Sequence, residues 1–109
     1  MANSESIALS CTITRGGFSD ERVFRVNLAG GGTYVGACPR YYCFSSNLQP
    51  LKENQPPERG KSIAGLVLAS RVREEGDVIL VSVPDGAVLA IAAAQIRQAP
   101  KEVPPDVPV

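Results

Sequence analysis

The chain contains no histidine. That absence removes Ser-His-Asp and Cys-His catalysis, His-ligated metal sites and a histidine pH switch together. Cysteine is sparse as well: three residues, an odd number, which argues against a disulfide framework. No long uncharged run is present either. The least charged stretch, residues 78–96, is broken by Pro84-Asp85-Gly86, so it is no membrane span. Net charge is zero, with 11 basic and 11 acidic residues, which excludes a whole-surface attraction for nucleic acid or anionic lipid but not a local patch. The first residues, Met-Ala-Asn-Ser-Glu-Ser, show neither a basic nor an apolar leader segment, and a cytoplasmic location is expected.

What remains is an ordinary globular composition, 44% hydrophobic and 20% charged over 109 residues. A chain of this length buries roughly two-thirds of its unfolded surface, enough for a core without metal or disulfide staples.

The clearest structural statement lies in residues 76–91. A β-favouring run from Val78 to Val83 meets a Pro-Asp-Gly corner, and a second apolar run returns. Pro84 presets φ, Asp85 suits the next position and Gly86 accepts positive φ, which predicts a hairpin with a type I turn and a glycine bulge. Earlier in the chain, Ile7, Leu9, Cys11 and Ile13 alternate with smaller residues, a half-buried strand over 6–14. Turn chemistry follows at 15–20. A strand at 23–28 then carries Phe24, Val26 and Leu28 on one face and Arg25 and Asn27 on the other. Gly30-Gly31-Gly32 turns the chain into a short strand at 33–37, and Pro39 marks a tight turn before another short strand.

Residues 45–61 hold Pro50, Pro56 and Pro57, lack periodicity and read as a crossover or linker. A strand at 62–70 and a charged turn at 71–77 precede the hairpin, whose return strand is expected to reach about Ile91, and Ala92-Ala93-Ala94-Gln95-Ile96-Arg97 suits a short 3₁₀ or α turn after it. Residues 1–5 are expected to fray, and the tail 99–109, with four prolines, to be extended or disordered.

The halves resemble each other. Ser6-Ile7-Ala8 recurs at 62–64, an offset of 56; residues 23–28 match 78–83 at 55; Gly32-Thr33-Tyr34-Val35 matches Gly86-Ala87-Val88-Leu89 at 54. Such small slips are what two copies of one supersecondary unit leave, here 6–44 and 62–98 within a single all-β domain spanning 6–98. Two architectures fit: tandem SH3-like small barrels, or one closed pseudo-two-fold barrel whose halves interlock. Each half is short for independent stability, which favours the single closed unit.

All six aromatics lie in the first half, where the second has aliphatics. Between residues 15 and 44 there are four arginines against two carboxylates. Tyrosine and arginine dominate binding hot spots and stack on planar groups. The candidate binding residues are therefore Arg15, Phe18, Arg40, Tyr41 and Tyr42, with Phe24 assigned to the core. Cys38 and Cys43 stand at C-x₄-C but lack further ligands for a metal, and free cysteine commonly serves as a small buried hydrophobe. A reactive Cys43 activated by Arg40 would need a general base that the sequence does not supply. Gly30-Gly31-Gly32 precedes a strand rather than a helix, so it is a turn and no phosphate cradle. Asp20/Glu21 and Glu74/Glu75/Asp77 fall in charged turns and read as solvated surface.

The expectation is a non-enzymatic all-β interaction module, without cofactor or metal, that binds a protein partner or its own copy through the first half. A small barrel associating with nucleic acid is the alternative, and a cysteine-dependent enzyme a third. The proline-rich tail could separately serve as an extended ligand for a partner.

Overall fold

A computed structural model describes residues 6–47, 49, 51 and 57–99. The expectations for residues 1–5, for much of the linker and for the tail beyond Ala99 lie outside the described residues. The protein is all-β. Its strands are β1 (Ser6–Arg15), β2 (Glu21–Asn27), β3 (Thr33–Pro39), β4 (Cys43–Ser45), β5 (Ser62–Glu75), β6 (Val78–Ser82), β7 (Val88–Ala92) and β8 (Ile96–Gln98). Short 3₁₀ turns, Arg40–Tyr42 and Ala93–Gln95, precede β4 and β8.

β1 and β5 form the spine, paired antiparallel from Ser6↔Ser70 to Thr14↔Ser62. The β2–β3 hairpin extends the sheet on one side and β6–β7 on the other, giving the order β3-β2-β1-β5-β6-β7. The two short strands cross over. β4 pairs β5 through Cys43↔Val67, and β8 pairs β1 through Leu9↔Ile96. The sheet curls strongly into a half-barrel. A fully closed barrel was the expectation, yet the edges β3 and β7 are not paired to each other. The two hairpins meet instead at their corners: the Ala29 N–H, between β2 and β3, bonds the Ala90 carbonyl of β7 at 2.9 Å, and the Tyr34 hydroxyl of β3 donates to Asp85, between β6 and β7.

Strand alternation explains the core. Ile7, Leu9 and Ile13 of β1, Phe24 and Val26 of β2, Val67 and Ala69 of β5, Ile79 and Val81 of β6, and Leu89 and Ile91 of β7 share one buried cluster. It draws on both halves of the chain. The opposite face of the spine carries a smaller cluster of Ala8, Phe44 and Leu66. Consecutive residues of β4 serve the two faces, Cys43 in the main core and Phe44 in the smaller one, as period-two geometry requires.

The hairpin turn forms as its residues dictate. Gly86 N–H reaches the Val83 carbonyl at 2.9 Å, Val83 N–H reaches Ala87 at 3.0 Å, and Gly86 has φ of 95°. The Leu28–Gly32 corner makes the same two bonds at 3.1 and 3.0 Å, with Gly31 at φ 98°.

The charged segment 71–77 departs from the expected turn. β5 continues to Glu75, and only Gly76-Asp77 turn the chain. Its charges sit on the solvent side as cross-linked pairs, Arg71 with Glu74 and Arg73 with Glu75, while the ladder slips past Val72 as a bulge. Pro39 ends β3 without breaking the sheet, because β3 is an edge strand.

Candidate functional site

The loop between β1 and β2 is small, and its main-chain carbonyls are heavily used. Glu21 N–H bonds the Phe18 carbonyl at 3.0 Å, and the Arg22 guanidinium donates to the carbonyls of Ser19 at 2.9 Å and Glu21 at 2.8 Å. Arg40 N–H reaches the Asp20 carbonyl at 2.6 Å. The Glu21 carboxylate folds back to accept the Gly17 N–H at 2.6 Å, and a Cβ at Gly16 would stand 2.7 Å from the Glu21 carbonyl oxygen. This network holds the loop in one shape. At its tip the Phe18 ring is 78% exposed.

Phe18 overhangs a shallow concavity of about 320 Å³ formed with Asp20, Glu21, Ala37, Cys38 and Pro39. Beyond it runs β3, a sheet edge whose exposed residues are Thr33, Val35, Ala37 and Pro39. A braced aromatic ring, a small apolar hollow and an open strand edge thus adjoin one another. The polar rim there is acidic, from Asp20 and Glu21.

The other candidates are placed differently. Arg40 has a side chain only 15% exposed, with Nε donating to Asp20 Oδ1 at 2.9 Å and a terminal nitrogen to the Leu51 carbonyl at 2.9 Å. Tyr41 and Tyr42 are half-buried with ring centroids 5.3 Å apart, and Tyr42 packs on the core. Arg15 is exposed and donates through Nε to the Pro57 carbonyl at 3.1 Å. It lines a second, larger concavity of about 650 Å³ with Thr14, Gly16, Gly17, Arg59 and Gly60. Arg15 and Phe18 therefore stand at the surface, while Arg40 and Tyr42 are committed to the fold. The Asp20 and Glu21 carboxylates, expected as free surface charges, are instead half-buried struts.

Arg22 is the residue that sequence reasoning passed over. It is fully buried, and burial lowers its pKa, with Cys43 and Asp20 opposing that shift and Arg40 and Arg15 adding to it. The signal was parity: Arg22, Phe24 and Val26 share the inward face of β2.

Cys43 is fully buried, so Arg40 does not present it to solvent as a nucleophile; its sulfur lies 3.6 Å from that of Cys38. Among the described residues no group of three or more acidic, cysteine or histidine side chains is placed to hold a metal, and no helix is long and apolar enough to cross a membrane. Comparison with protein-family models, curated proteins and solved structures gives no match for this chain.

Proposed function

We propose that the protein is a non-enzymatic β interaction module that receives an extended segment of a protein partner along β3, with Phe18 as the anchor. One observation carries this reading: Phe18 is 78% exposed on a loop whose shape is held by at least five hydrogen bonds. A large apolar side chain on a rigid support keeps its contact area ready at little further entropic cost. The β3 edge supplies main-chain donors and acceptors beside it, the arrangement that strand addition uses. The acidic rim and the internal use of Arg22 and Arg40 favour a protein segment over a phosphate backbone at this place.

The experiment is capture of partners from the native host by wild-type protein and by Phe18→Ser and Val35→Lys variants. Both side chains are exposed, so the variants should melt as wild type does while losing the specific partner. Undiminished capture by both variants would overturn the reading, and recovery of the protein's own copy would identify self-association.

A second reading has its own support. The concavity holding Arg15 and Arg59 brings two arginines beside Gly16, Gly17 and Gly60, where a nucleic-acid phosphate would fit. Affinity falling steeply with salt and lost in Arg15→Ala/Arg59→Ala would favour that surface over the Phe18 hollow.

We also infer that the two halves are copies of one unit, related as in a pseudo-two-fold barrel. In its support, strand–strand–strand–3₁₀–strand occurs twice, with identical corner bonding at Leu28–Gly32 and Val83–Ala87. The last strand of each half pairs the first strand of the other. These pairings equate Leu9 with Val67, an offset of 58, two residues beyond the Ser-Ile-Ala match. An even slip preserves which side chains face inward.

A further inference from the structure

The chain has three free thiols: Cys38 near the end of β3 and Cys43 at the start of β4 lie in the main core, and Cys11 in β1 packs against it. Cys38 and Cys43 are the closest, with sulfurs 3.6 Å apart across the Arg40–Tyr42 turn. We propose that Cys38 and Cys43 are a disulfide-forming pair, oxidised by a low-molecular-weight disulfide of the glutathione class. The odd cysteine count argued against a disulfide framework, but it leaves room for one bridge and one spare thiol.

The geometry carries the proposal. A disulfide bond is about 2 Å long, so the sulfurs, 3.6 Å apart, need to approach by about 1.6 Å. Both cysteines sit on strands held by ladders, Cys38 opposite Arg22 and Cys43 opposite Val67. Neither has to leave its strand. Cys43 is sealed, whereas Cys38 is 4% exposed and borders the hollow beneath Phe18, so Cys38 is the point of entry.

The chemistry balances. Cys38 gives up its proton, and its thiolate attacks the small disulfide, forming a mixed disulfide and expelling one small thiolate. Cys43, deprotonated in turn, attacks the Cys38 sulfur and expels the second. Two protein thiols are oxidised, one small disulfide is reduced to two thiols, and the protons pass to the released thiolates. The reaction is slow in the native state. Hydrogen bonding to Cys43 and then burial hold the Cys38 thiol above its ordinary range, and burial, with Cys38 nearby, pushes Cys11 up to about 12. The bridge, once made, ties the end of β3 to β4 around the Asp20–Arg40 contact, and it resists reduction for the same reason of access.

The test uses the full chain in glutathione redox buffers, approached from the reduced and from the pre-oxidised protein until both agree. Samples are unfolded, alkylated and digested with trypsin without reduction. Cleavage after Arg25, Arg40 and Lys52 separates the two cysteines, so peptides 26–40 and 41–52 should remain joined until a reductant is added. Cys11 should be the one alkylated thiol, and the oxidised protein should melt at a higher temperature than the reduced. Three alkylated thiols at equilibrium in buffers that fully oxidise an unstrained dithiol would overturn the proposal. So would a bridge involving the Cys11 peptide, or stable glutathione adducts on Cys38. A Cys11→Ser variant that still joins the two peptides supports the assignment without disturbing the pair.

Discussion

Asp20 and Arg40 are joined twice: the Arg40 N–H meets the Asp20 carbonyl at 2.6 Å, and Arg40 Nε meets Asp20 Oδ1 at 2.9 Å. Asp20 immediately precedes β2 and Arg40 immediately follows β3, so this double contact clamps the base of the hairpin. It also fixes the loop that carries Phe18, which joins a stability element directly to the proposed binding anchor.

Replacing Arg40 with alanine removes the charge-assisted bond and the bond to Leu51. Because Asp20 is half exposed, a loss of about 1–2 kcal/mol is expected in urea unfolding. Arg40→Ala and Asp20→Ala together should cost less than their sum. A variant that melts as wild type yet loses partner binding would instead make Arg40 a contact residue.

Two glycines should respond oppositely to alanine. At Gly65 an added Cβ would lie 2.5 Å from Ile13 Cδ1 and 2.6 Å from the Phe44 carbonyl oxygen. Neither neighbour gives easily: one is a core side chain and the other the backbone of β4, paired directly to β5. Gly65→Ala is expected to destabilise by about 2 kcal/mol or more, the cost of overpacking. Gly30 has open space around it and no positive φ, so Gly30→Ala should be neutral or gain about 0.5 kcal/mol from a stiffer unfolded chain. Thermal melts of the two variants decide both.

Tyr34 gives a pH signature. Its hydroxyl donates to the Asp85 carboxylate, and that bond first, then burial and the charge of Asp85, raise its pKa above the ordinary 10.0. The folded state thus holds this proton more tightly than the unfolded one. Its contribution is full below about pH 10 and is lost as pH rises through the folded value. Melting temperature followed through this alkaline range should fall less steeply for Tyr34→Phe than for wild type. Cys11, raised to about 12, adds a loss of the same sign beginning near its ordinary 9.0, so both series belong in a Cys11→Ser background. Equal slopes would place Tyr34 outside the linkage.

Much of this was legible because period-two patterning is a local property. Phe24, Val26, Ile79 and Val81 declare their face from sequence alone, and Pro84-Asp85-Gly86 specifies its own turn. Charge was the less reliable guide. Residues 71–75 look like a turn because they are ionic, but a solvent-exposed strand end that runs past β1 and pairs only with β6 tolerates Arg-Glu pairs as readily as a loop does. The fate of Arg40 and Tyr42 depended on partners distant in sequence, Asp20 and the shared core, which no local pattern encodes. Phe18 is the reverse case. Its isolation in a Gly-Gly-Phe-Ser turn already set it apart from the alternating strands, and it stayed outside.

Arg22 separates support from contact. It is fully buried, and its guanidinium holds the Ser19 and Glu21 carbonyls beneath the Phe18 loop. Arg22→Ala would empty a large volume and strand those acceptors, so a loss of about 3–5 kcal/mol is expected. Arg22→Met refills most of the volume without a charge to desolvate, and its cost should stay within about 1–2 kcal/mol even though the acceptors are left open. Proton exchange at the Gly17 and Glu21 amides then reads the loop itself. In Arg22→Met those amides should exchange faster than in wild type while the β1–β5 ladder stays protected, and partner capture through Phe18 should weaken with them. Unchanged loop exchange in a folded Arg22→Met would mean that Glu21 and Asp20 alone shape the loop, and that the buried charge serves only the packing of β2.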